Sequence, residues 1–216
     1  MKRTLVLLLA SSMLLACNAK APTPPSEKPI PTNPKILVAY FSRAGENHSV
    51  GVVEVGNTQK MAEEIARQTG GSLFRIQTVK PYSENYKECA EEAKKELQDK
   101  ARPKLTEQLA HFDRYETIYL GYPVWYGTAP MAVYTFIESY DWKGKHVYPF
   151  ATHEGSGMDS SENKLKKVLP SAIWHPGLSL FGHTAQNEPT TLQNVVRSWL
   201  QKDKLKDKLK NKLKKK

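Results

Sequence analysis

Ile36-Leu37-Val38-Ala39-Tyr40-Phe41, followed at once by Ser42-Arg43-Ala44-Gly45, is the stretch whose reading decides the fold. A continuous apolar run of strand length, without polar alternation, suits a parallel strand covered on both faces. After Gly45 a polar, valine-bearing stretch leads to Gly56-Asn57-Thr58 at a helix start. The helix is expected over Thr58–Gly70, where Met61, Ala62, Ile65 and Ala66 fall at helical spacing and Gly70-Gly71 stops it. Strand, loop and helix in that order predict the opening of an α/β unit.

The same alternation continues outward. Leu73-Phe74-Arg75-Ile76 is a second strand, and Glu84–Ala101 a charged helix broken before Pro103. Ile118-Tyr119-Leu120-Gly121-Tyr122 is a third strand, ended by Pro123, and Pro130–Tyr140 a helix with proline in its first turn. His146–Ala151 is a fourth strand, Ser160–Leu169 a helix, Leu178–Phe181 a fifth strand, and Pro189–Leu200 a last amphipathic helix. Five strands alternating with five helices predict one doubly wound α/β domain. In such sheets ligands bind beyond the carboxyl ends of strands, near the switch point in strand order.

The segments after strands one, three and four therefore carry the functional signal. Hydroxyls and free N–H groups where Ser42-Arg43-Ala44 meets the helix start at Asn57-Thr58 make a metal-free phosphate cradle. Pro123-Val124-Trp125-Tyr126-Gly127 offers two adjacent aromatics to a planar ligand. Thr152-His153-Glu154-Gly155-Ser156-Gly157 is a polar loop able to approach that ligand with backbone groups. Taken singly each has a plainer explanation: a helix-capping serine, core aromatics, a hydrogen-bonded loop histidine. Their convergence on one sheet edge is the specific feature.

The strings ILVAYFSRAGEN, GNTQKMAEEIA, GYPVWYGTAP and THEGSG, in this order, resemble the flavodoxin family, in its branch with a split phosphate loop. The resemblance covers residues 35–200. It implies a three-layer, doubly wound α/β sheet of five parallel strands in the order 2-1-3-4-5 and a noncovalent FMN. By that resemblance Ser42, Arg43, Ala44, Asn57 and Thr58 hold the FMN phosphate. Pro123, Val124, Trp125, Tyr126 and Gly127 flank the isoalloxazine ring, and Thr152, His153, Glu154 and Gly157 close its other edge. Two departures stand out: Glu46–Val55 interrupts the phosphate loop of the short carriers, and a frequent Trp-Trp pair is here Trp125-Tyr126. The implied function is electron transfer, as a one-electron carrier or a quinone-type reductase using His153 or Tyr126 as proton donor. The alternative is a flavin-free flavodoxin-fold module acting as a surface lipoprotein.

The chain ends read differently. Lys2 and Arg3 precede the apolar run Thr4–Leu15, which is too short to span a bilayer and reads as a signal peptide over residues 1–16. Leu14-Leu15-Ala16-Cys17 resembles a bacterial lipobox, implying a lipidated Cys17 and anchoring in the cell envelope. Asn18 in place of aspartate favours the outer membrane, facing the periplasm. Residues 17–34 are proline-rich and fit an extended spacer. With Cys17 committed, Cys89 has no internal disulfide partner and is expected in a partly packed helix.

The 216 residues are 39% hydrophobic and 25% charged, which excludes a fully disordered or fibrous chain. Of the net charge of +10, Lys2 and Arg3 supply two and residues 201–216, with nine lysines and two aspartates, supply seven. The near-neutral remainder excludes a basic nucleic-acid-binding core. Leu205, Leu209 and Leu213 repeat between the tail lysines, fitting either contact with an anionic lipid or another acidic envelope surface, or a solvated extension of the last helix. Neither G-x-x-x-x-G-K-[ST] nor G-x-G-x-x-G occurs, and the histidines show no metal-ligand spacing with cysteines.

Overall fold

The computed structural model describes residues 33–213, with side chains described up to Lys202. The predicted signal peptide, Cys17 and nearly all of the spacer lie outside the described residues. Strand β1 (Ile36–Tyr40) is followed by a short hairpin, β2 (Gly45–Asn47) and β3 (Gly51–Val53), and then helix α1 (Asn57–Thr69). The alternation continues through β4 (Ser72–Arg75), α2 (Tyr86–Gln98), β5 (Thr117–Pro123), α3 (Met131–Glu138), β6 (His146–His153) and α4 (Ser161–Val168). It closes with β7 (Ile173–Trp174), β8 (Leu178–Phe181), α5 (Gly182–Asn187) and α6 (Pro189–Leu213).

The sheet order is β4-β1-β5-β6-β7, with β8 also paired to β6, and every pairing in it is parallel. Counted by position along the chain this is the expected order 2-1-3-4-5. The fifth position is split: β7 pairs His146 and Val147 at the start of β6, and β8 pairs Phe150–His153 at its end. Pro149, with no N–H to give a ladder, sits in β6 between the two paired stretches.

Alternation along the strands builds two cores, one on each face. Leu37 and Ala39 of β1, Ile118, Leu120 and Tyr122 of β5, and Val147 and Ala151 of β6 join the core that holds α3 and Leu165 of α4. Val38 and Tyr40, Tyr119, Tyr148 and Phe150 face the other way, onto Met61, Ala62, Ile65 and Ala66 of α1, Ala185 of α5, and Leu192 and Val196 of α6. These are the three expected layers.

Several elements depart from the sequence expectations. The β2–β3 hairpin occupies the interrupting stretch. Strand β5 ends at Pro123 as expected but takes the proline in as its last residue, and β6 runs on to His153. Helix α5 was not expected. It is a short turn of helix opened by Gly182, whose missing side chain leaves room for Asn57 and Glu154. Helix α6 passes Leu200 without a break and continues to Leu213.

Candidate functional site

Strands β5 and β6 run further than β1, so Pro123, Thr152 and His153 project at the carboxyl edge of the sheet. There Arg43, Asn57, Pro123, Val124, Trp125, Tyr126, Thr152, His153 and Glu154 line one cleft of about 280 Å³. Ser42 and Thr58 are buried and do not line it. Ala44, Gly127 and Gly157 do not line it either.

At the start of α1, the Gln59 N–H donates to the Ser42 hydroxyl at 3.0 Å, so a β1 loop residue caps the helix. The loop and the helix start touch closely: a Cβ on Gly56 would lie 2.3 Å from Ser42 Oγ and 2.4 Å from the Arg43 carbonyl oxygen. The first helical bond is Lys60 N–H to the Gly56 carbonyl, so the N–H groups of Asn57 and Thr58 have no acceptor within the helix. No acidic residue stands in this first turn. The Thr58 and Thr152 hydroxyls share a hydrogen bond at 2.7 Å that ties α1 to β6.

Arg43 organises the neighbouring loops. Its Nη1 donates to the carbonyls of Ser83 at 2.8 Å and Glu84 at 3.0 Å, and its Nη2 donates to the Glu46 carbonyl. Its Nε is buried with no hydrogen-bond partner among the described residues. A buried, unpaired guanidinium N–H costs free energy, and an anion supplies what it lacks. The donor set of Arg43 and the first turn of α1 thus fits a phosphate ester.

The second wall is a tight turn. Trp125 and Thr128 exchange backbone hydrogen bonds at 2.8 and 3.0 Å across Tyr126 and Gly127, at φ 50° and 69°. Positive φ at both central residues is ordinary for glycine and strained for tyrosine. That conformation holds the Tyr126 ring half exposed, with its hydroxyl donating to the Ala90 carbonyl of α2 at 3.0 Å. Trp125 packs edge-on against Phe41 at 5.5 Å and Tyr82 at 5.3 Å, which fixes its ring plane. The Gly127 carbonyl accepts from Ser160 Oγ and Lys164 Nζ, both at 3.0 Å.

In the third loop, the Gly155 N–H donates to His153 Nδ1 at 3.0 Å, so the neutral ring carries its proton on Nε2. Burial pushes His153 below the ordinary histidine range. Glu154 pulls the other way, and His183 adds to the depression. Glu154 is already engaged: its Oε1 accepts from the His183 N–H at 3.0 Å, and its Oε2 pairs with His183 Nδ1 at 2.8 Å.

Asn47, His48, Tyr86, Cys89, Ala90, Ala93 and Ser156 also line the cleft, and sequence reasoning did not single them out as site residues. Three interactions bring the hairpin and α2 there. Gly45 abuts the Glu84 backbone, Glu46 accepts from the Tyr86 N–H at 3.0 Å, and His48 stacks on Tyr86 at 5.4 Å. The signal for the hairpin was the pair Gly45 and Gly51 around a valine-bearing stretch, both at positive φ. Cys89 is buried, and that burial pushes its thiol up to about 11, so it is a packing residue and not a reactive one. Among the described residues no group of three or more His, Cys, Asp or Glu side chains is placed to hold a metal ion.

Known proteins share this architecture. A candidate flavoprotein from Bacteroides eggerthii is 32% identical, covers 78% of this chain and 97% of its own, and superposes with a TM-score of 0.62. A second, from Bacteroides uniformis, is also 32% identical, covering 76% and 97% with a TM-score of 0.61. A flavoprotein from Lactobacillus acidophilus, solved in complex with FMN, shares the fold at 18% identity and a TM-score of 0.56, covering 68% and 93%. No curated protein matches. The family model for flavodoxin matches residues 35–201, which hold the whole sheet and all three loops of the cleft, and the chain belongs to the flavodoxin family.

Proposed function

We propose that this chain binds FMN without a covalent link and works as a redox protein of the bacterial cell envelope, reducing small quinone-type acceptors. The observation that carries the reading is the meeting, in one cleft, of Arg43, whose Nε–H lacks a partner among the described residues, with the Trp125-Tyr126 turn. Arg43 and the Asn57 and Thr58 amides would hold the phosphate, with Ser42 and Thr58 hydroxyls bracing the cradle from behind. Trp125 and Tyr126 would take the ring system, with Pro123, Val124 and Thr152 at its edges. FMN, when bound, supplies electron transfer in one- or two-electron steps. The chain's part is to orient that group, to exclude water with the α2 and hairpin walls, and to present the His153 Nε2 proton at the cleft.

The FMN-bound Lactobacillus acidophilus flavoprotein and the Bacteroides relatives support the cofactor assignment. The near-neutral body favours a small neutral acceptor over a strongly basic protein partner, which an acidic surface would steer. Membrane attachment through Cys17 accounts for the apolar leader and the proline-rich spacer. The test is to photoreduce the FMN-loaded protein and mix it with a small benzoquinone or with a basic cytochrome. Fast reoxidation by the quinone alone supports the reductase. Fast reoxidation by the cytochrome alone makes the protein a carrier, and reoxidation by neither removes both roles.

A further inference from the structure

Helix α6 starts at the cleft edge of the molecule and ends at the opposite one. Just before it, Gln186 donates to Asn57 beside the start of α1. Four residues into the helix, the Gln193 carbonyl accepts from Gln68 in the last turn of α1. Further on, Trp199 packs against Tyr119 at 5.6 Å and Tyr148 at 6.2 Å, in the first halves of β5 and β6. The helix therefore reaches the amino edge of the sheet at Trp199 and runs on from Leu200 to Leu213, about 20 Å of helix at 1.5 Å per residue. The chain enters the domain at the same edge, where the Asn33 N–H donates to the Gly70 carbonyl just past the end of α1.

The projecting segment repeats in fours: Lys202-Asp203-Lys204-Leu205, Lys206-Asp207-Lys208-Leu209, Lys210-Asn211-Lys212-Leu213. At about 100° per residue, positions 205, 209 and 213 fall on one strip of the helix. Positions 203, 207 and 211 fall on the opposite side, and lysine positions flank the leucine strip on both sides. Leu192, Val195, Val196 and Trp199, which pack against the domain, centre roughly a quarter turn from the middle of that strip, so the leucines only partly overlap the domain-facing stripe, Leu213 falling in line with Val195. A narrow apolar strip flanked by lysines, with two aspartates and an asparagine opposite, is the layout of a helix lying in an anionic lipid interface. A polyanion such as a nucleic acid calls for the lysines and has no use for the leucines.

We propose that the Lys202–Leu213 extension of α6 docks on an anionic lipid bilayer, holding the amino edge of the sheet toward the membrane and the cleft away from it. The surface it needs is negatively charged headgroups over accessible acyl chain. This inference is independent of whether FMN is bound.

The test uses residues 33–216, which contain every residue of the two described cores, with far-UV circular dichroism and a cooperative thermal transition required of this piece before binding is measured. Cosedimentation is measured with phosphatidylethanolamine vesicles containing about a quarter phosphatidylglycerol, and with phosphatidylcholine vesicles. The expected result is at least about tenfold tighter binding to the anionic vesicles, weakened by raising salt from about 0.1 to about 0.5 M. It is also lost in a Leu205→Ser, Leu209→Ser, Leu213→Ser variant that keeps every charge. A polarity-sensitive NBD label at Leu209→Cys should shift blue on these vesicles, while the same label at Val52→Cys, on the exposed hairpin at the cleft edge, should not. Equal binding to both vesicle types overturns the proposal. Undiminished binding of the triple-serine variant also overturns it, because the tail is then a plain polycation open to nucleic acid. A blue shift at position 52 overturns the orientation. Far-UV circular dichroism of each variant checks that the fold is intact.

Discussion

At the scale of single residues the site rests on Arg43 and His153. Arg43 does two jobs with one side chain: its Nη atoms pin the 83–84 turn and the hairpin, while its Nε–H is buried with no partner among the described residues. An Arg43→Lys variant keeps the positive charge and loses the planar fork. FMN affinity should fall about 10- to 100-fold, the equivalent of one charge-assisted hydrogen bond of about 1.5–3 kcal/mol, as read by fluorescence titration. An unchanged dissociation constant would remove Arg43 from the cradle. His153 predicts a pH dependence. Burial holds its folded pKa below 6.5, so as pH falls from that value the unfolded chain binds the proton first. Stability contributed by the neutral ring is present above pH 6.5 and is lost as pH drops through the lower, folded pKa. Thermal midpoints between about pH 5 and about pH 8 should decline toward acid less steeply in His153→Gln than in the parent. Parallel curves would show that His153 does not contribute. The strained Tyr126 was not legible in sequence, because a tyrosine at positive φ carries no mark in the residue order.

At the scale of elements, the contact between the β1 loop and the start of α1 is the tightest constraint in the site. A methyl at Gly56 has no room against Ser42 Oγ and the Arg43 carbonyl, and two of its close neighbours are backbone atoms that cannot swing aside. Gly56→Ala should therefore cost about 1–3 kcal/mol in denaturant unfolding and weaken FMN binding with it. A fully stable variant with unimpaired binding would mean that the loop gives way freely. Ile36–Phe41, the Thr58 helix and the remaining long strands were legible because buried parallel strands and amphipathic helices announce themselves by period. The same held for the three loops, which follow strand ends. What was not legible depends on neighbours distant in sequence. The hairpin exists because Glu46 and Gly45 meet the 84–86 turn, and α5 exists because Asn57 and Glu154 close over Gly182. The wall opposite the aromatic turn came from α2, whose Tyr86, Cys89 and Ala93 read as ordinary helix positions until the hairpin is placed against them.

At the scale of the whole molecule the two edges of the sheet have different work. The carboxyl edge gathers the cleft, its donors and its aromatics. The amino edge receives the chain at Asn33 and releases the cationic end of α6. Charge is divided the same way, with residues 17–200 close to neutral and the excess at the ends. Among the described residues no helix is long and apolar enough to cross a membrane. The most direct measurement of the central claim is the visible absorption spectrum of purified residues 33–216 after incubation with FMN and removal of the excess. A yellow protein that releases FMN in equimolar amount on denaturation, and retains less of it in Arg43→Lys, is the predicted result. A folded protein that stays colourless and leaves added FMN fluorescence unchanged would contradict the account and leave a flavodoxin fold without its flavin.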